Sequence, residues 1–138
     1  MKYLMLLFTL VALNTNMSSQ TPKIHKVIFQ MSSADAEEQK GLINNLQSLK
    51  EGWGENVQIE VVAHGPGITF LMKEKSNASA GIAKMIKQGV VFVACENTMK
   101  KKSVTKDQLL EGVDTVPMGI GEIIMKQEQG WSYIKANF

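Results

Sequence analysis

Five strand patterns that alternate with helix patterns predict an α/β domain built on a mainly parallel sheet. The strongest observation is the run Val90–Ala94, five apolar residues without alternation, which is typical of a central parallel strand buried on both faces. The second is the recurrence of helix signals between the strand patterns, because parallel strands need crossover connections. The predicted order of elements is βαβαβαβαβ.

The first crossover carries clear start and stop signals. Strands are predicted at His25–Met31 and Val57–Ala63, which are rich in apolar and β-branched residues. Between them, Asp35 and Glu38 have the spacing of a helix-capping pair, and the glycines of Gly52–Gly54 end the helix. The apolar face of this helix is predicted to carry Leu42, Ile43, Leu46 and Leu49.

The remaining elements follow the same alternation. The loop His64–Gly67 reads His-Gly-Pro-Gly and stops the second strand. Beyond it the predicted elements are a helical turn at 70–72, a helix with its apolar stripe at Ile82, Met85 and Ile86, the strand 90–94, a short helix that begins at the capping box 105–108, a strand at 113–117, a helix over 120–127 and an edge strand at 131–134.

Composition narrows the class of protein. The 138 residues include 15 lysines and no arginine against 13 acidic residues, a formal net charge of +2. This weak charge, without guanidinium groups for phosphate and guanine contacts, argues against a nucleic-acid partner. The single cysteine, Cys95, and two histidines exclude an internal disulfide framework and a closed Cys/His zinc site. We therefore expect one domain with no cofactor and no metal.

The N-terminus predicts export. Lys2 precedes the largely apolar run Tyr3–Leu13, and the polar segment Asn14–Thr21 follows. The apolar run is shorter than the roughly 20 residues that span a bilayer, so residues 1–19 are interpreted as a signal peptide. Cleavage is expected before Gln20, which leaves the domain 20–138 in the periplasm or outside the cell, with no membrane contact after cleavage.

Three polar segments follow predicted strands, at the strand ends where ligands bind in open parallel sheets. They are Ser32–Ser33, His64–Gly67 and Cys95–Thr98. If the strand order is 2-1-3, His64 and Cys95 flank the first strand, roughly 10 Å apart at the backbone. This spacing does not predict a preformed Cys–His dyad.

Cys95 has two interpretations. As a reactive thiol it would be stabilised by helix amides at Asn97 and Thr98 and by nearby lysines, with Glu96 acting against it. As a core residue it would end a hydrophobic strand, where cysteines are often buried. The local sequence slightly favours the core residue, whereas export favours a thiol that is either buried or used. His64 is equally an acid, base or anion contact, or a residue that stabilises its turn.

Several motifs together resemble the DsrE/DsrF-like family, whose members have the YchN-type fold. They include Val-Ala-His-Gly-Pro-Gly at 62–67 and Val-Ala-Cys-Glu-Asn-Thr at 93–98. The other segments are 25–30, 116–119 and 128–134. The resemblance implies a three-layer fold, with a mainly parallel five-stranded sheet and helices on both faces. It also implies a homo-oligomer, a trimer or hexamer, and a cysteine that carries sulfur as a persulfide.

The resemblance places Cys95 at the reactive-cysteine position and His64 in the loop that lines its cleft. One hypothesis is a sulfur carrier or sulfurtransferase-like protein, in which Cys95 exchanges sulfane sulfur with a donor or acceptor protein or a small sulfane compound. The alternative is a non-catalytic small-molecule-binding or assembly module. A Cys95–His64–Glu96 metal site ranks third. The expected binding residues are His64, Gly65, Glu96, Asn97 and Thr98.

Overall fold

One five-stranded sheet organises the chain, as shown by a computed structural model that describes residues 23–137. The strands are β1 His25–Met31, β2 Val57–Ala63, β3 Val91–Cys95, β4 Asp114–Val116 and β5 Ser132–Lys135. The helices are α1 Ala36–Trp53, α2 Ser79–Lys87, α3 Glu96–Lys102 and α4 Gly119–Glu128, with 3₁₀ turns at Gly54–Asn56, Gly65–Leu71 and Lys106–Gln108. The predicted signal peptide, residues 1–19, lies outside the described residues.

The strand order is β4-β3-β2-β1-β5, and every neighbouring pair is parallel. The predicted α/β class and parallel five-stranded sheet are confirmed, but the supposed order 2-1-3 is wrong. From β1 to β4 the chain steps in one direction, so right-handed crossovers put α1 and α2 on the same face. It then returns across the sheet to β5 through α4, which packs on the opposite face.

Because β2 and β3 are neighbours, His64 and Cys95 follow adjacent strands. They are therefore one strand spacing (about 4.8 Å) apart at the backbone rather than two.

The predicted N-cap of α1 is present. The carboxylate of Asp35 accepts hydrogen bonds from the backbone N–H groups of Glu37 at 2.9 Å and Glu38 at 3.0 Å. Leu42 and Leu46 are fully buried against the sheet, as the apolar spacing predicts. The helix ends at Trp53 and is capped by Gly54, whose φ of 54° is a conformation that glycine adopts without strain.

The second face of the sheet is covered less completely than the first. Here α4 packs Ile123 against Ile28, Val62 and Val93. Val91, the first residue of β3, is 42% exposed. The prediction that the whole run at 90–94 is buried on both faces is therefore wrong at its first strand residue.

The segment between β3 and β4 also differs from prediction. The short helix expected from residue 105 to 110 is a 3₁₀ turn, although its capping box forms, with the Thr105 backbone N–H donating to Gln108 Oε1 at 2.9 Å. The longer helix of this connection is α3, which starts directly after Cys95. Among residues 23–137, no helix has the length and apolar content needed to span a membrane.

Candidate functional site

Cys95 is the last residue of β3, and its side chain faces α4. The alternation of the strand puts it on the same side of the sheet as Val93, which packs under that helix. Only 5% of Cys95 is exposed. Its Sγ accepts a hydrogen bond of 3.2 Å from the backbone N–H of Gly119, the first residue of α4. The thiol is therefore buried at the N-terminal end of a ten-residue helix.

Gly119 allows this approach because it has no side chain. A Cβ at this position would lie 3.1 Å from the Cβ of Cys95, 3.1 Å from Cγ1 of Val62 and 3.3 Å from the Cβ of His64. Cys95 and His64 thus border the same small space, although they follow different strands. Sequence reasoning did not assign Gly119 to the site, because its contact with Cys95 spans 24 residues.

The surroundings of the thiol act in opposite directions on its ionisation. Burial by itself raises the pKa of Cys95, but hydrogen bonds from Gly119, Thr98 and Asn97 outweigh it and hold the pKa below its ordinary value. The positive end of the α4 dipole favours the thiolate in the same sense. The amides of Asn97 and Thr98 that the sequence suggested are thus near the thiol at the start of α3, and the amide of Gly119 in α4 is an additional donor.

The loop after β2 is fixed against both neighbouring strand ends. The backbone N–H of His64 donates to the carbonyl of Met31 at 3.1 Å, and that of Gly65 donates to Thr98 Oγ1 at 2.9 Å. Gly67 lies so close to β1 that a Cβ there would be 2.2 Å from the Met31 carbonyl oxygen. These contacts keep His64 at the same strand ends as Cys95.

His64 takes part in a hydrogen-bonded row that the sequence did not reveal. Its Nε2 lies 2.7 Å from Nε2 of Gln30, and the hydroxyl of Tyr133 donates to Oε1 of Gln30. Partial burial lowers the pKa of His64, so the ring is neutral at physiological pH. Gln30 was detectable as the one polar residue in the apolar part of β1, whereas Tyr133 carries no local signal.

Two of the predicted binding residues do not face the thiol as expected. Glu96 accepts a hydrogen bond of 2.7 Å from Thr115 Oγ1, which ties it to β4. Asn97 is exposed, and only its backbone N–H, which also donates to the Pro117 carbonyl at 3.3 Å, contributes near the site. Gly65 and Thr98 do meet, as described above. The candidate site thus consists of Cys95 with backbone amides and Thr98, beside His64.

The other sequence candidates lie elsewhere or have structural roles. Ser33 belongs to the start of α1, where its hydroxyl accepts from the Asp35 N–H at 3.1 Å. His25, at the opposite end of β1, stacks on Trp53 with ring centroids 4.0 Å apart. Within residues 23–137, no three His, Cys, Asp or Glu side chains are grouped so that they could hold a metal ion. The Cys95–His64–Glu96 metal hypothesis therefore lacks support.

The sequence profile of the DsrE/DsrF-like family matches residues 3–136, and the chain belongs to this family. The resemblance noted from the sequence motifs is thereby confirmed. A search of curated proteins returned no match.

Solved structures share the fold. MTH1491 from Methanobacterium thermoautotrophicum, a protein of unknown function, is 37% identical, with a TM-score of 0.76 over 80% of this chain and 98% of that one. BT1422 from Bacteroides thetaiotaomicron, also of unknown function, is 16% identical, with a TM-score of 0.64 over 80% and 93%. The ychN protein of E. coli is 8% identical, with a TM-score of 0.62 over 82% and 98%. The last two likenesses concern the fold alone.

Proposed function

We propose that this protein is an exported sulfur carrier, acting in the periplasm or outside the cell, with Cys95 as the residue that accepts and passes on sulfane sulfur. The observation that carries the proposal is the hydrogen bond from the Gly119 N–H to Sγ, together with a thiol pKa below its ordinary value. Sulfur exchange begins with a thiolate, and this environment favours one. Membership of the DsrE/DsrF-like family supports the same chemistry.

The exchange needs no external oxidant or reductant. The Cys95 thiolate attacks the outer sulfur of a donor persulfide, R–S–SH. A new S–S bond forms, the donor's S–S bond breaks, and the donor leaves as the thiolate R–S⁻. Cys95 then carries an –S–SH group. An acceptor thiolate attacks its outer sulfur in the second half-reaction and regenerates the Cys95 thiolate.

Burial of the thiol constrains the donor. With 5% of Cys95 exposed, a bulky disulfide has little access to Sγ, whereas the small outer sulfur of a persulfide needs less room. We infer a donor that presents a terminal sulfur on a narrow group. Bulky thiol-reactive reagents should therefore react more slowly with the folded chain than small ones do.

The test is the intact mass of the protein before and after incubation with glutathione persulfide. The expected result is a gain of one sulfur atom, removed by a reducing agent and absent from Cys95→Ser. Alkylation by iodoacetamide, with and without denaturant, is measured in parallel. No gain in mass, combined with a thiol that reacts only after unfolding, contradicts the proposal.

One observation favours the alternative of a non-catalytic module: the same burial of Cys95. In that case Cys95 packs the N-terminus of α4 against the sheet, and Cys95→Ser leaves function intact. The mass experiment separates the two, because a core cysteine takes up no sulfur in the folded state.

We also propose a homo-oligomer, a trimer or hexamer, in which α4 contributes to the interface. Four large apolar side chains are exposed here: Ile120 at 48%, Ile124 at 50% and Met125 at 49% on the helix, and Met118 at 55% just before its first residue. Contiguous apolar patches of this kind mark protein interfaces. Light scattering should give a mass of three or six chains for the wild type and a smaller mass for Ile124→Glu. Ala80→Glu, at an exposed position of α2, is the control and should keep the wild-type mass. A monomeric wild type contradicts the proposal.

A further inference from the structure

Four neighbouring strands each bring one polar or reactive side chain to the α4 face near the strand ends. In the order of the sheet they are Cys95 from β3, His64 after β2, Gln30 from β1 and Tyr133 from β5. The register puts these side chains on one face of the sheet, since Gln30 is paired with Val62, two residues before His64, and with Lys135, two residues after Tyr133. The backbone also ties β5 to β1 here, through the Ala136 N–H and the Gln30 carbonyl at 2.9 Å.

The two hydrogen bonds of Gln30 indicate the direction of donation along the row. Oε1 of Gln30 accepts from the hydroxyl of Tyr133, and the amide nitrogen Nε2 faces His64. An amide NH₂ has donors and no acceptor. The Nε2 of His64, 2.7 Å away, must therefore accept with its lone pair. The proton of the neutral ring is then on Nδ1.

We propose that Gln30 and Tyr133 are positioning residues that hold His64 as the neutral Nδ1–H tautomer. In this state His64 has no free lone pair, because its Nε2 is occupied by Gln30. It therefore cannot accept the proton of the Cys95 thiol. Its Nδ1–H remains as a hydrogen-bond donor, on a residue whose Cβ borders the same space around Gly119 as the Cβ of Cys95.

The consequence for sulfur chemistry rests on the proposed function. The thiolate of Cys95 is stabilised by the amides of Gly119 and α3 and not by a Cys–His ion pair. His64 instead donates toward negative charge on sulfur, on the bound persulfide or the departing thiolate. The titratable and charged groups at these strand ends include Cys95, Tyr133 and Lys135, which is paired with Gln30.

The first test reads the tautomer directly and requires no sulfur donor. Nitrogen NMR of the imidazole rings in the ¹⁵N-labelled full chain distinguishes Nδ1–H from Nε2–H. The chain has two histidines, so His25→Gln assigns the His64 signals. We expect a protonated Nδ1 and an unprotonated Nε2 for His64 at neutral pH. The opposite tautomer in the wild type overturns the proposal.

The second test reverses the hydrogen bond. Gln30→Glu replaces the donating amide with a carboxylate that can only accept, so the proton should move to Nε2 and the pKa of His64 should rise. The pH profile of Cys95 alkylation should then gain a second step, which reports His64. In the wild type it should show one step. Gln58→Glu, an exposed position at the start of β2, adds the same charge away from the row and should preserve the wild-type profile.

A third variant keeps the proposal testable if Gln30→Glu does not fold. Tyr133→Phe retains the ring on an exposed edge strand and removes the hydroxyl that orients the Gln30 amide. The freed amide can turn its oxygen to His64, so an Nε2–H signal should appear. A tautomer unchanged in Tyr133→Phe contradicts the role of Tyr133.

The two proposals can fail separately. A wild-type protein that has the expected tautomer but takes up no sulfur would contradict only the proposed function. A wild-type protein that takes up sulfur with an Nε2–H ring would contradict only this inference.

Discussion

Cys95 combines two properties that usually oppose each other, near-complete burial and a pKa below its ordinary value. Burial alone disfavours the thiolate, so the donors around Sγ must compensate for the water that the thiol has lost. The backbone supplies most of them, from α3 and from Gly119 of α4. Backbone donors have fixed positions and need no reorganisation when negative charge appears on sulfur.

Gly119→Ala should raise the pKa of Cys95 and slow its alkylation at neutral pH several-fold. The new methyl group crowds Cys95, Val62 and His64, so α4 must shift and lengthen the bond to Sγ. Overpacking of this kind costs about 1–3 kcal/mol of stability. Alkylation rates against pH and urea unfolding measure both effects.

Gly121→Ala is the matched control in the same helix. Its Cβ meets the end of the flexible Met118 side chain, which is exposed and can move. This variant should keep the wild-type alkylation profile and the wild-type stability, or gain up to about 1 kcal/mol from helix propensity. Equal alkylation profiles for the two alanine variants and the wild type would show that Gly119 does not set the pKa of Cys95.

Ionisation of Glu60 should lower the free energy of unfolding as the pH rises through the acidic range. Desolvation by burial raises its pKa, and the ion pair of its Oε2 with Lys126 at 2.5 Å offsets this only in part. Its Oε1 has no hydrogen-bond partner among residues 23–137. Because the folded state holds the proton more tightly than the unfolded state, stability contributed by protonated Glu60 is lost as pH rises from about 4.3 through the folded pKa.

Glu60→Gln removes this titration and should flatten the dependence of unfolding free energy on pH above about 4.3. Chemical denaturation at a series of pH values measures it. Glu55→Gln, at an exposed position, is the control and should leave the wild-type slope. A slope in Glu60→Gln equal to that of the wild type would mean that Glu60 does not titrate differently on folding.

At the scale of elements, α4 has two structural roles. It covers the second face of the sheet with Ile123, and it brings the Gly119 N–H to the end of β3. Both roles follow from the strand order, because the chain must cross from β4 at one edge of the sheet to the far side of β1 to add β5. The helix that returns the chain passes over the strand ends where Cys95 lies.

The first helix, α1, is predicted to depend on its cap and to be independent of the site. Asp35→Ala removes two hydrogen bonds to backbone N–H groups and should cost about 1 kcal/mol of unfolding free energy. Urea denaturation measures the loss. Asp35→Asn, which retains an accepting oxygen, should recover most of it, and both variants should keep the wild-type alkylation rate of Cys95. A changed alkylation rate would show that the α1 terminus is coupled to the thiol.

At the scale of the whole molecule, the strand order decides which residues become neighbours. Adjacency of β2 and β3 brings His64 beside Cys95, and the position of β5 beside β1 brings Tyr133 to Gln30. Shared folds at 8% and 16% identity show how widely this topology accommodates different sequences. The fold therefore defines where a site forms, and the side chains at the strand ends define its chemistry.

The sequence by itself determined the α/β class, the bounds of β1 and β2, the capping of α1 by Asp35, and Cys95 with His64 as the residues at the strand ends. These are local properties, set by hydrophobic period, turn residues and caps over a few residues. Even the buried face of α1 follows from the spacing of Leu42 and Leu46.

Only the tertiary structure decided the order of the strands, the burial of the thiol, the contact of Gly119 with Sγ and the row from Tyr133 through Gln30 to His64. Each depends on residues 24 to 103 positions apart that meet because of crossover direction and sheet register. A parallel sheet tolerates several strand orders with the same local patterns. The pKa of Cys95 combines both kinds of contact, because the donors of Asn97 and Thr98 are local and that of Gly119 comes from the tertiary structure. Glu96 is held by Thr115, and the lysines of α3 are exposed.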